Sequence, residues 1–138
     1  MHPMNIEALP VELRVLAWSV ALGLLQLMLA AGASTAQRGS KWNVSARDGT
    51  PPALAGVAAR LDRALRNFLE SFAFFAVAAL AVVAAQRTDG HSALGVQLYF
   101  WARVLYVPLY AFGVPVVRSL VWTVSIVGIV LVLWPLFT

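Results

Sequence analysis

Four polar residues recur at helical spacing inside an otherwise apolar run: Arg63, Arg66, Asn67 and Glu70 stand at relative positions 0, 3, 4 and 7. A helix of 3.6 residues per turn carries all four on one face. Further along, Arg103, Tyr106 and Tyr110 repeat the spacing 0, 3, 7, and Arg118 with Ser119 opens the last apolar run. Guanidinium forks bind carboxylates in bidentate pairs. Asn and Tyr add neutral hydrogen-bonding groups, and a single carboxylate can hold an ammonium. Together these residues suit a small zwitterion with excess negative charge.

The elements that must position them are membrane helices. The chain has 138 residues, of which 61% are hydrophobic and only 12% charged, and its mean hydropathy is +0.80. These values are too apolar for an ordinary soluble domain. A membrane helix takes about 20 apolar residues, so the length accommodates four helices with three connections. The predicted helices cover about 11–36, 58–86, 93–112 and 116–137, with one polar loop over about 37–57. The expected fold is an all-α integral membrane four-helix bundle forming a single domain over 1–138. Ala31-Gly32-Ala33 resembles a signal-peptide cleavage site, but the leader MHPMNIEALPVE is acidic where a signal is basic, so the first segment reads as a spanning helix.

Ten Lys and Arg against six Asp and Glu make the chain basic. The basic residues are scattered through or beside apolar segments, which excludes the clustered footprint of a nucleic-acid binder. Absence of cysteine excludes disulfides, thiolate metal sites and a cysteine nucleophile. His2 and His91 lie far apart, and neither metal binding nor acid-base catalysis is expected of them. Arg38, Lys41, Arg47, Arg60, Arg63 and Arg66 lie in or beside the long loop, whereas only Arg14 and Arg87 flank the other side. The positive-inside rule therefore predicts a cytoplasmic loop, with both termini and the Arg87 turn on the opposite side. On that topology the Asn43-Val44-Ser45 triplet faces away from glycosylation.

This topology brings the polar ends of the second, third and fourth segments to one depth. Arg103 falls near mid-membrane, where insertion scales charge about 2.5–3.5 kcal/mol for an arginine. It therefore needs an interior partner. Glu70 is the one acidic residue deep inside an apolar segment, so a structural Arg103–Glu70 pair is one reading. The other is an anion pocket in the cytoplasmic half of the bundle. Glutathione, with two carboxylates, one ammonium and a thiol, is one of several ligands that fit it. An arginine near the sulfur would stabilise the thiolate.

RLDRALRNFLESFAFF together with ARVLYVPLYAFGVPVVRSLVW resembles the MAPEG family, the membrane-associated proteins in eicosanoid and glutathione metabolism. Its R-x-x-R-N-x-x-E pattern is similar to Arg63, Arg66, Asn67 and Glu70, and R-x-x-[HY]-x-x-x-Y to Arg103, Tyr106 and Tyr110. The resemblance covers about residues 11–137 and implies a homotrimer of four-helix subunits, with glutathione between neighbours near the cytoplasmic face and a lipophilic small molecule arriving from the membrane lipids. It implies that those seven residues contact glutathione as co-substrate, that Arg118 and Ser119 are the catalytic pair, and that Arg38 adds a basic contact. Trp122 stands where some relatives carry a tyrosine, and KWNVSARDGTPP is longer and more polar than eicosanoid synthases lead one to expect, as in a bacterial inner-membrane branch. The implied activity is a membrane-bound glutathione transferase or peroxidase acting on lipophilic electrophiles. Two alternatives stand beside it, a non-catalytic lipid-binding or scaffold protein and a small four-helix exporter. Phe68, Phe72, Phe74, Phe75, Phe100 and Trp101 read as packing or lipid-facing residues, and Pro108 predicts a bend between Tyr106 and Tyr110.

Overall fold

The computed structural model describes residues 5–138. Among the described residues the fold is all-helical: a 3-10 turn (Ile6–Ala8), α1 (Val11–Arg38), α2 (Ser40–Val44), α3 (Gly56–Ala84), α4 (Gly90–Ala111) and α5 (Pro115–Phe137). Three helices, α1, α3 and α5, are long and apolar enough to cross a membrane. The expected four-span bundle is thus met in three helices by length and hydropathy. Although 22 residues long, α4 falls outside that set because Gln97, Arg103 and three tyrosines dilute its apolar surface.

Each helix boundary has a local cause. Gln86 and Gly113 adopt left-handed backbone angles just past α3 and α4. In both places paired backbone hydrogen bonds close a Schellman turn, Arg87 N to Val82 O with Gln86 N to Val83 O, and Val114 N to Leu109 O with Gly113 N to Tyr110 O. The start of α4 lies at Gly90 rather than near residue 93 because Asp89 caps it. The Asp89 carboxylate accepts from the His91 and Ser92 backbone N–H groups, and Ser92 Oγ accepts from Asp89 N. Slight burial works to raise this carboxyl, but the bonds from Ser92 and His91 outweigh it and hold Asp89 below the usual carboxylate range. Pro115 starts α5, where its missing N–H costs nothing. α4 continues through Pro108 as a single element.

The expected loop over 37–57 contains the five-residue α2, and its return arm is tied to the end of α1. Gln37 exchanges two hydrogen bonds with the Ala55 backbone, and Arg38 Nε donates to Pro52 O at 2.7 Å. At the opposite end, the buried Glu12 of α1 accepts a 2.8 Å bond from Ser92 Oγ of α4. That bond places the two parallel helices in register.

The core joins Phe68, Phe75, Ala79 and Val82 of α3 to Val96 and Tyr99 of α4 and Val132 of α5. The Phe75 and Tyr99 rings stack at 4.0 Å, and Tyr99 Oη lies 3.0 Å from Ser71 Oγ. Outside, Leu24, Leu25, Met28, Phe74, Val77 and Leu120 are exposed, as a lipid-facing surface requires. Association between apolar helices in lipid depends on close packing and small residues. The α4–α5 contact uses two glycines: a Cβ on Gly95 would stand 2.5 Å from Gly128 O, and one on Gly128 2.7 Å from Gly95 O.

Gly95→Ala is therefore expected to lower stability by about 1–3 kcal/mol through overpacking. Gly32→Ala, on an open face of α1, should be neutral or stabilise by up to about 1 kcal/mol through helix propensity. Unfolding of both variants in detergent checks this; equal behaviour would refute a tight glycine contact.

Candidate functional site

The loop end of the bundle, where α3 begins and α4 ends, collects the cationic side chains. Arg63 Nε of α3 donates to Tyr110 Oη of α4 at 3.2 Å, and Arg118 of α5 lies over the Tyr110 ring, 4.5 Å from its centre. Two guanidinium groups from different helices thus converge on one phenol. Neither has an acidic partner within ion-pair distance among the described residues. The Tyr106 ring is 5.5 Å from that of Tyr110. Nearby, Arg60 Nη1 donates to Ala111 O at 3.0 Å, a basic residue on an open carbonyl at the end of a helix.

About two turns back along α4 from Tyr110, Arg103 is almost completely enclosed, with 1% of its surface exposed. Its Nη1 donates to Asn67 Oδ1 at 2.9 Å, and its guanidinium lies 4.2 Å from the Tyr106 ring centre and 5.7 Å from that of Phe68. Its Nε and Nη2 have no partner among the described residues. The Arg103–Glu70 pair raised by the sequence is absent. Phe68 and Asn67 occupy the part of α3 that faces Arg103, while Glu70 is turned outward onto the groove between α3 and α5. The buried cation is met by an amide dipole and aromatic faces, and the carboxylate is left exposed.

That groove has a volume of about 720 Å³ and is overwhelmingly apolar, with Phe74, Val77, Ile126 and Val130 in its walls. Asn67, Glu70 and Ser71 enter it from α3, and Trp122, 40% exposed, enters from α5. Asn67 therefore touches both the buried guanidinium and the groove.

Not all of the predicted residues meet. Arg66 turns outward, its side chain 75% exposed, and pairs with Asp62 of its own helix at 3.2 Å. The single face predicted for Arg63, Arg66, Asn67 and Glu70 is split in the chain: Arg63 and Asn67 face α4, Glu70 faces α5, and Arg66 faces outward. Arg38 is engaged with the loop carbonyl of Pro52. Ser119 Oγ donates to Pro115 O at 3.3 Å within its own helix. His91 lies at the other end with Asp89, and His2 is outside the described residues. Sequence reasoning overlooked Asp62, whose i, i+4 spacing to Arg66 was the available signal, and the capping role of Arg60.

The model of the MAPEG family matches residues 15–138. No curated protein and no solved structure matches the chain.

Asn67→Leu removes the one side-chain acceptor of a buried cation and should cost about 1.5–3 kcal/mol. Glu70→Gln should change stability by less than about 0.5 kcal/mol. Denaturant unfolding in micelles distinguishes them; a larger loss for Glu70→Gln would restore the carboxylate as the partner of Arg103.

Proposed function

The chain belongs to the MAPEG family, and from that premise we propose that it is a membrane-bound glutathione transferase or peroxidase acting on lipophilic electrophiles. The observation that carries this reading is the pair of guanidinium groups, Arg63 and Arg118, converging on Tyr110 without an acidic partner. Uncompensated positive charge beside a large apolar groove suits an anionic co-substrate and a lipophilic acceptor side by side. The donor set fits glutathione: two free cations for its carboxylates or thiolate, and the exposed Glu70 carboxylate for its ammonium.

In this reading the protein is a homotrimer embedded in a bacterial inner membrane, with α4 as a fourth spanning helix and both termini on the non-cytoplasmic side. The outward-turned Arg66 then faces a neighbouring subunit, where it contributes to a shared pocket with Arg38, Asn67 and Glu70. Glutathione supplies a thiolate nucleophile. Arg118 stabilises negative charge at the sulfur, Ser119 lies beside it, Arg63 and Tyr110 fix Arg118 in place, and Arg103 and Tyr106 form the pocket floor. Catalysis by such a site is mainly positioning and preorganised electrostatics. The lipophilic partner enters along the α3–α5 groove. Trp122 supports a second reading, lipid binding without turnover, because an indole there offers no hydroxyl to the reacting sulfur.

Calorimetry of the detergent-purified protein should show saturable glutathione binding that Arg66→Ala abolishes. Absence of binding at millimolar glutathione would favour the non-catalytic reading. With chlorodinitrobenzene as acceptor, Arg118→Ala should lower kcat about 10²-fold with a smaller change in glutathione affinity. Its pH–rate inflection should rise toward the free-thiol value of about 8.5. Equal, small changes in kcat and affinity, with an unmoved inflection, would remove Arg118 from the chemistry.

A further inference from the structure

The opposite end of the bundle carries a second, differently built recess. Val11, Arg14, Val15 and Trp18 of α1 and Gln97, Phe100 and Trp101 of α4 line a furrow of about 610 Å³. Gln97 and Trp101 also line a second furrow of about 390 Å³, between α4 and Val121 and Val124 of α5. The two furrows flank one ridge of α4. Both are apolar apart from two side chains, Arg14 and Gln97.

Those two residues are otherwise unexplained. Arg14 Nε is buried without a partner among the described residues. The neighbouring Glu12 is turned away into its bond with Ser92. Gln97 is exposed on the outer surface of α4 among Leu94, Leu98 and Trp101. A polar side chain facing lipid is expensive unless something there satisfies it. The Glu12–Ser92 bond sets the relative depth: Arg14 is two residues past Glu12 and Gln97 five past Ser92. Gln97 is therefore about 4.5 Å deeper at 1.5 Å per residue. Cation above, amide below, and two furrows continuing inward from the amide follow the order of phosphate, ester carbonyls and two acyl chains in a diacyl phospholipid.

We propose that Arg14 and Gln97 form a binding site for an anionic diacyl phospholipid on the outer face of α4, its phosphate on Arg14, its ester carbonyls at Gln97, and one chain in each furrow. Net negative charge is preferred because Arg14 has no ion-pair partner among the described residues. Trp101 lines both furrows and Trp18 the first, giving each chain a flat aromatic wall. The site is separate from the cationic cluster at the loop end and does not depend on the glutathione reading.

The test is native mass spectrometry of the full-length protein released from mixed micelles containing phosphatidylglycerol and phosphatidylcholine of identical chains. The wild type should retain phosphatidylglycerol about fivefold better, the effect of one basic residue at a membrane surface. Arg14→Gln should abolish that preference, Arg14→Lys should keep most of it, and Gln97→Leu should reduce retention of both lipids. Glycerol phosphate should not compete, since it lacks the chains. Equal retention of the two lipids by the wild type would overturn the proposal without any variant. So would an undiminished preference in Arg14→Gln.

Discussion

A guanidinium group enclosed between helices is the constraint from which the arrangement of α3 and α4 follows. Removing a cation from water costs several kcal/mol even after the protein relaxes around it, so the surroundings of Arg103 must return a large part of that. They do so with the Asn67 carbonyl oxygen and the faces of Tyr106 and Phe68. These groups meet Arg103 only at one rotation and one depth of α3 against α4. The same rotation stacks Tyr99 on Phe75 and sets its hydroxyl against Ser71. It also carries Tyr110 to Arg63. The glycine contact between α4 and α5 then adds Arg118 to the same end.

Much of this was legible in the amino-acid order, because long apolar runs broken by polar turns leave few alternatives. Arg103 announced itself as a residue needing an interior partner, and Tyr106, one turn on, lies against it, whereas Tyr110 meets Arg63 and Arg118 instead. The identity of the partner was not legible. Opposite charge singled out Glu70, but a helix face is wide enough that Asn67 and Glu70, three residues apart, look toward different neighbours. Packing of Phe68 decided between them, and packing depends on the neighbouring helices rather than on the periodicity of one. The boundary of α4 was misjudged for a different reason: Gly90 and His91 look like turn residues, and only the reciprocal bonds of Asp89 and Ser92 extend the helix over them.

The loop end separates two kinds of surface. Arg60, Arg63 and Arg118 are held there by a carbonyl, a phenol and its ring, and among the described residues only Arg66 is paired with an acid. The adjoining groove is almost bare of polar atoms. Asn67 lies on the boundary, committed through its oxygen to Arg103 while its side chain lines the groove. The groove and the seat of Arg103 therefore have one residue in common.

The bond between Glu12 and Ser92 bears on how the protein is made. Its two residues are separated by 80 positions, so in a chain synthesised from the N-terminus the acid emerges long before the hydroxyl that satisfies it. During that interval Glu12 lacks the partner that it has in the finished fold. The contact that sets α1 against α4 therefore forms only once the start of α4 has been made.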